Sequence, residues 1–408
     1  MSAALEPRVV APGSAADAAA LLAACAREGA AVVPVGGSTL QSLGNAPRRC
    51  DVLLHTSGLN GVRDYLPADM TAGLEAGTTL ADVARVLGEF GQWIPFDAPR
   101  APLATVGGTL AAGWAGPRRA AYGRPRDLVI GSTVALADGS LAHAGGMVVK
   151  NVAGYDMSKL YVGSLGTLGL IVRANFKALP RPPAHRVALA PLADDVRDRT
   201  LAALGHLEIE PSAALIFDGF AGVARFGDAG VRLLLTFEGS DAVVERATRG
   251  VRSGLGKAGI PETLLLDGGA AERALAEAID AYIDVPGASL TYRSVGLPST
   301  AWSRTRNAAA LAREYGLHAE SVADVRTGDA ILRFSAADVA TFAAVLGGFD
   351  AALHRAFERT TVLAGEPALR AAIDAWGAEP STIATMRAIK ARFDPTGILA
   401  PGRYVGAI

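Results

Sequence analysis

Thirteen glycines fall between Gly107 and Gly169, and this concentration limits what the chain can fold into more than any other feature. Glycine inside a helix or strand costs roughly 0.5–1 kcal/mol relative to alanine, so the stretch predicts short strands and loops rather than long helices. Leu128 to Leu136 and Gly169 to Leu179 read as two such strands. What glycine offers in return is backbone freedom. Without a Cβ, a loop can press its amides against a ligand, and successive N–H groups in a turn make an anion-binding concavity without lysine or arginine.

Three segments have that character. The first is Val35-Gly36-Gly37-Ser38-Thr39-Leu40, and the second runs from Thr105 through Gly107 and Gly108 to Tyr122 and Gly123. The third runs from Asn151, Gly154 and Tyr155 to Gly163, Gly166, Gly169 and Ile171. A single Gly-Gly pair is most often a plain turn, so it is the series that suggests a dinucleotide. The strand–GxGxxG–helix unit of a Rossmann fold is absent: in Gly163-x-x-Gly166-x-x-Gly169 the spacing differs and a strand follows. No GxxxxGK[ST] occurs, which excludes a P-loop nucleotidase.

The flanking sequence predicts ordinary elements. Ser14 with Asp17 starts a helix bearing Leu21, Leu22 and Cys25, and Gly29 ends it. Ala31 to Pro34 and Val52 to Leu54 read as strands, and a further strand ends near Gly77. Thr79 caps a helix carrying Leu80, Val83, Leu87 and Phe90 on one face. Arg181-Pro182-Pro183 marks a boundary, because consecutive prolines suit neither helix nor ladder. Beyond it, strand-like runs (186–189, 214–217, 232–237, 264–266, 290–295, 331–334, 361–363) alternate with alanine-rich helices near 195–206, 241–256, 270–281, 300–314 and 336–355. The expected organisation is α+β, with a first domain over 1–182, an α/β cap over 183–379 and a tail over 380–408 whose helix passes through Met386 and Ile389.

Composition excludes several functions. The 39 basic and 40 acidic side chains cancel, leaving no excess to meet a nucleic-acid backbone. Cys25 and Cys50 form no CxxC pair, so no cysteine-held zinc or iron–sulfur site and no metal centre is expected in this chain. The start lacks a basic region followed by an apolar core, and apolar runs elsewhere are short, so the expectation is a cytoplasmic chain.

Taken in order, the motifs resemble the vanillyl-alcohol oxidase superfamily, whose FAD-binding domain is called PCMH-type. They are the Gly/Ser loop near Gly36, Ala104-Thr105-Val106-Gly107-Gly108-Thr109, Tyr122-Gly123, Val134-Ala135-Leu136-Ala137-Asp138-Gly139 and Gly163-Ser164-Leu165-Gly166-Thr167-Leu168-Gly169. The closing Phe393-Asp394-Pro395-Thr396-Gly397-Ile398-Leu399 with Pro401-Gly402 fits as well. Residues 145–160, Trp93-Ile94-Pro95-Phe96-Asp97 and Tyr292-Arg293-Ser294-Val295 with Pro298 are similar to the FAD-binding E-subunit family of bacterial glycolate oxidases.

The resemblance implies a two-part FAD domain, a cap and a tail that returns to the FAD domain. It also implies FAD bound without a covalent link, in keeping with a phosphate loop that holds neither His nor Cys. It further implies oxidation of glycolate or another small 2-hydroxy acid, a second FAD subunit, an iron–sulfur subunit, and peripheral attachment to the inner face of the cell membrane through those partners. Gly36 to Thr39 would cradle the pyrophosphate from one side and Thr105, Gly107 and Gly108 from the other, while Gly163, Gly166, Gly169 and Ile171 would pack the adenosine and ribityl parts. Leu40 stands where relatives often carry lysine, which leaves phosphate neutralisation to amide dipoles alone.

Hydroxy-acid oxidation needs a base near the hydroxyl proton and a cation for the carboxylate. His206, His318 and His354 lie in unrelated contexts and read as surface or helix-end residues. Arg293 is the candidate to hold an anion, with a structural arginine on the strand's wet side equally open. Asp156 reads as capping the turn to Lys159. Arg118, Arg119, Arg124 and Arg126 form a basic run beside Tyr122 that reads as a solvated loop. With no clear histidine base, the reading favours an accessory flavin subunit over a self-sufficient oxidase or dehydrogenase; a cofactor-less assembly protein is the third reading.

Overall fold

In the computed structural model, residues 6–148, 154–192, 197–220, 230–260, 262–357 and 359–408 are described. The chain divides into two compact units. One comprises Met1–Ala115, Arg124–Arg181 and Asp374–Ile408, the other Gly116–Gly123 and Pro182–Ile373.

In the first unit, β1 (Arg8–Val10), β2 (Val32–Val35) and β3 (Val52–His55) make a small parallel sheet in the order β1-β3-β2. Parallel strands need a crossover, and α1 (Ala15–Glu28) supplies it between β1 and β2. Ser14 caps that helix by accepting from Asp17 N–H, and Gly29 ends it at φ 64°, a left-handed turn that glycine adopts without strain. Leu22 and Cys25 pack with Val32, Leu54 and Val172 into one core that also takes Ile398 and Leu399 from the tail.

A second, antiparallel sheet holds β4 (Val62–Leu66), β5 (Thr71–Glu75), β7 (Val129–Ala135), β8 (Leu141–Gly145) and β9 (Leu170–Lys177) in the order β4-β5-β9-β7-β8. The short β6 (Gln92–Trp93) pairs with β10 (Leu179–Pro180). Between β5 and β6, α2 (Leu80–Gly88) buries Leu80, Val83 and Leu87 and is capped by Thr79. Phe90, expected on the same face, lies past the helix end and is 57% exposed, because the helix stops at Gly88 and Glu89. Thr105 to Leu110, read as a loop, is instead the start of α3 (Val106–Ala112).

The second unit is built on one antiparallel sheet of eight strands. These are β11 (Ala184–Pro191), β12 (Ala213–Asp218), β13 (Val231–Gly239), β14 (Leu264–Asp267), β15 (Ser289–Val295), β16 (His318–Asp324), β17 (Asp329–Ser335) and β18 (Thr360–Gly365). Their order is β14-β11-β13-β12-β16-β17-β15-β18. Alanine-rich helices cover it; the helix Asp241–Ala258, for example, sends Val244, Val251 and Leu255 against Leu233, Leu235 and Phe237.

Gly116–Gly123 belongs to this unit through buried ion pairs, not through sequence proximity. Arg118 Nη1 meets Glu238 Oε1 at 2.7 Å, and Arg119 meets Asp329 end-on, Nη1 to Oδ2 and Nη2 to Oδ1, each at 2.8 Å. The expectation of a solvated basic loop therefore fails for Arg118 and Arg119, whose side chains are 13% and 9% exposed; only Arg124 and Arg126 remain outside these pairs. Among the described residues, no helix is long and apolar enough to cross a membrane.

Candidate cofactor site

One cleft in the first unit gathers most of the glycine-rich sequence. It is lined by residues 34–41, Thr56, Thr105, Gly107, Gly108, Ala111, Ala112, residues 165 and 166, residues 169–171 and Arg403. Val35, Gly36, Gly37, Ser38, Thr39, Leu40, Thr105, Gly107, Gly108, Gly166, Gly169 and Ile171 thus come together on one surface.

Close backbone packing explains the glycines here. A Cβ on Gly36 would overlap Thr105 Oγ1, and one on Gly37 would overlap the Leu103 carbonyl, so the loop after β2 can lie against the entry to α3 only without side chains. Thr105 caps α3 by accepting from Gly108 N–H at 3.3 Å. Gly107 packs on Ala76 and donates to its carbonyl at 2.7 Å.

Among the described residues no protein acceptor takes the N–H groups of Gly36, Gly37, Ser38 and Thr39, which line the cleft. Ser38 holds φ at 58°, which turns the loop sharply at the cleft. Amides without partners at a cavity are a cost unless water or a ligand satisfies them.

The remaining expected residues lie elsewhere. Gly163 packs behind α3, donating its N–H to Leu110 O at 2.9 Å. Gly154 is exposed and Tyr155 is 92% exposed, and neither lines the cleft. Tyr122 belongs to the second unit. Asn151 lies outside the described residues. Asp156 pairs with Lys159 at 3.1 Å on the surface.

Sequence reasoning overlooked Arg403. It lines the cleft, is 4% exposed, and donates from Nη2 to Gln41 O at 3.0 Å and from Nε to Leu43 O at 3.4 Å. The tail thus brings an arginine into the lining from far along the chain. Its only sequence signal is its place next to Pro401-Gly402.

The tail reaches the cleft through a buried network. Asp394, with its side chain fully buried, accepts from Ile398 N–H at 3.0 Å and Leu399 N–H at 2.8 Å. Lys390 Nζ donates to Asp394, to Thr167 O and to Leu399 O at 2.6–2.8 Å. Burial pulls the Lys390 ammonium below its usual range and Asp394 opposes that pull. The backbone then bridges to β2, with Val32 N–H donating to Ile398 O and Ala400 N–H to Val32 O.

Comparison with known proteins agrees with this anatomy. Residues 7–158 match the model of the FAD binding domain, and residues 375–404 match that of the C-terminal domain of FAD linked oxidases. The chain carries a PCMH-type FAD-binding domain. It is 29% identical over 247 residues to the glycolate oxidase subunit GlcD of Bacillus subtilis, covering 58% of this chain and 53% of the relative. It is 40% identical over 152 residues to the glycolate oxidase subunit GlcE of Escherichia coli, covering 37% of this chain and 39% of the relative. The chain thus spans about half or less of the length of these relatives. Among solved structures, p-cresol methylhydroxylase superposes with a TM-score of 0.72 at 17% identity, over 97% of this chain and 88% of that one. At that identity the likeness speaks for the fold alone.

FAD fits the residues present in the FAD domain. Its diphosphate matches the row of unpartnered amides with an arginine in the same lining, and the apolar Ala111, Ala112, Leu170 and Ile171 suit its rings.

In the second unit, Arg293 donates from Nε and Nη2 to Asp329 Oδ2 at 2.7 and 2.6 Å, and its side chain is 22% exposed. Burial pushes Asp329 up, but Arg293 and Arg119 outweigh it and hold the carboxyl below its usual range. His206 and His318 are exposed, in line with their reading. His354 sits near the end of the helix Val339–Ala356, with Nδ1 2.9 Å from Asp350 O and Nε2 3.2 Å from Thr360 O. Two carbonyl partners suit the doubly protonated ring, and the hydrogen bond to Asp350 raises its pKa accordingly.

Proposed function

We propose that this chain is the FAD-binding subunit of a complex that oxidises glycolate or a close 2-hydroxy acid, with electrons passing on through partner subunits. The observation that carries the reading is the cleft: unpartnered amides of Gly36 to Thr39 share a lining with Arg403 in a domain 40% identical to the corresponding part of a glycolate oxidase subunit. In this reading Gly36, Gly37, Ser38, Thr39, Thr105, Gly107 and Gly108 hold the diphosphate, and Gly166, Gly169 and Ile171 line the rest of the cofactor's path. FAD supplies the two-electron acceptor when bound.

For substrate, the cap offers Arg293, which Asp329 fixes by two hydrogen bonds so that its charge is oriented before any carboxylate arrives. No cap histidine is offered as a base, since His354 is committed to two carbonyls and His206 and His318 are on the surface. The chain therefore acts with a second flavin subunit and an iron–sulfur subunit, and meets the membrane through them.

The test is purification alone and with its co-purifying partners, followed by addition of glycolate or D-lactate with an artificial electron acceptor. A yellow protein that turns over substrate only with partners is expected. Bleaching of its flavin by glycolate without partners would establish the self-sufficient enzyme instead, and a colourless protein refusing added FAD would end the flavoprotein reading.

A further inference from the structure

We propose that Asn45 and Lys390 are positioning residues of the cofactor cleft, tying its two walls to the same C-terminal tail so that tail docking and FAD binding support each other; this rests on the FAD reading of the cleft. One wall is the loop after β2, residues 36–41, which continues to Asn45. The other holds residues 165, 166 and 169–171 and runs into β9. Outside β2 and β9 both walls are turns, without a helix or ladder of their own. A turn of that kind keeps its shape only through partners elsewhere in the fold.

The tail supplies those partners to the first wall from two places in sequence. Asn45 accepts from Ala375 N–H at 2.7 Å through its side-chain oxygen and donates from Nδ2 to Asp374 at 3.3 Å. Its own N–H donates to Arg403 O at 3.0 Å, a carbonyl that the Trp376 indole also reaches at 3.1 Å. Residues 374–376 and 403 thus converge on the end of the loop, and Arg403 adds its bonds to Gln41 O and Leu43 O.

The second wall is held by Lys390, on the tail helix Ile383–Phe393. Its three N–H donors all have acceptors: Asp394, Leu399 O and, from the wall itself, Thr167 O at 2.8 Å. Phe393 packs edge-on against Tyr161 shortly before that wall. Gly44 is where the three parts meet, since a Cβ there would lie 2.7 Å from Arg403 O and 2.8 Å from Leu165 Cδ1. Both walls therefore take their places from one segment.

A ligand that touches both walls finds them already spaced only while the tail is docked. Pre-organisation of this kind lowers the ordering cost of binding. By linkage, whatever the tail contributes to FAD affinity, FAD returns to tail docking.

The test is equilibrium binding of FAD to full-length apoprotein, read by flavin fluorescence well below every melting temperature, with thermal melting of each apoprotein recorded alongside. Asn45→Ala and Lys390→Met are compared with wild type and with Ser14→Ala. The last removes the cap of α1 in the same unit and lines no part of the cleft, so it serves as a control for lost stability alone. Asn45→Ala is expected to weaken FAD about fivefold, the equivalent of one neutral hydrogen bond, and Lys390→Met about tenfold. Ser14→Ala should melt earlier yet bind FAD within about twofold of wild type.

Tail contacts that are merely structural give another pattern, in which Asn45→Ala and Lys390→Met melt earlier but bind FAD as Ser14→Ala does. That result overturns the proposal, as does a loss of affinity in Asn45→Ala with none in folded Lys390→Met. Lys390→Met leaves Asp394 buried without its cation; should it fail to fold, Lys390→Met/Asp394→Asn replaces it. If neither folds, Asn45→Ala decides on its own against Ser14→Ala. If wild-type apoprotein takes up no FAD, the cofactor reading falls and this proposal with it. If wild type binds FAD and the tail variants bind it equally well, only the positioning role falls.

Discussion

Asp324 shows how far burial can move one side chain in this protein. It is 5% exposed at the end of β16, and burial drives its pKa up from 3.8 to about 6 against the pull of Thr327, Arg326 and Arg119. A carboxyl whose folded pKa lies above its unfolded value favours the folded state in its protonated form. Its contribution is complete below about pH 4 and is lost as pH rises through about 6. The shift of roughly two units corresponds to about 3 kcal/mol. Asp324→Asn keeps an oxygen to accept from Arg326 N–H and Thr327 N–H, both at 3.0 Å, and removes the titration. Urea unfolding from pH 4 to 7 should therefore show the variant gaining on wild type as pH rises. Parallel curves for the two proteins across that range would refute the argument. Glu238 and Asp329, whose carboxyls are held low by arginines, contribute in the opposite sense at lower pH and cancel in the comparison.

At the scale of elements, the glycines of the cleft divide into two kinds. Gly37 faces the Leu103 carbonyl, and a methyl there collides with backbone that cannot rotate away. Gly108 sits within α3, and a methyl there meets only Thr105 Oγ1 at 3.0 Å while gaining alanine's helix preference of about 1 kcal/mol. Gly37→Ala should cost the apoprotein about 3 kcal/mol and its flavin, whereas Gly108→Ala should melt near wild type yet hold less FAD, because its methyl enters the cleft. Melting curves and flavin content of purified variants check both, and equal destabilisation by the two would defeat the distinction.

The same residues show what could be read without coordinates. Ser14, Gly29 and Thr79 act at helix ends as their side chains dictate, and the alternating apolar runs of the second unit became β11 to β15, β17 and β18. Two features resisted. Val106-Gly107-Gly108 reads as a turn because glycine disfavours helix, but Gly107 must lie against Ala76, and that packing outweighs propensity. His318-Ala319-Glu320-Ser321 hides β16 because its polar residues sit in a strand whose neighbours β12 and β17 bury only its second half.

For the molecule as a whole, sequence continuity and structural unity part company. The prolines at 182 and 183 open the second unit, yet two of its buried ion pairs are completed by Arg118 and Arg119 from more than sixty residues upstream. No local pattern announces this, since a pairing partner at such separation has no periodicity to betray it. The cofactor cleft repeats the lesson with Arg403. A fragment spanning residues 182–373 would keep Glu238 and Asp329, whose side chains are 3% and 8% exposed, while losing Arg118 and Arg119. Removing one partner of a buried pair costs about 3–5 kcal/mol, because the remaining charge stays desolvated. Two such losses approach the whole stability of an ordinary domain, roughly 5–15 kcal/mol. Asp329 would keep Arg293, so the larger penalty falls on Glu238. The fragment should therefore be poorly folded at neutral pH, and Glu238→Gln should restore more order to it than Asp329→Asn, as read by near-ultraviolet circular dichroism and urea midpoints. A fragment as stable as the intact chain's second unit would mean that these upstream arginines are ornaments of the fold and not part of it.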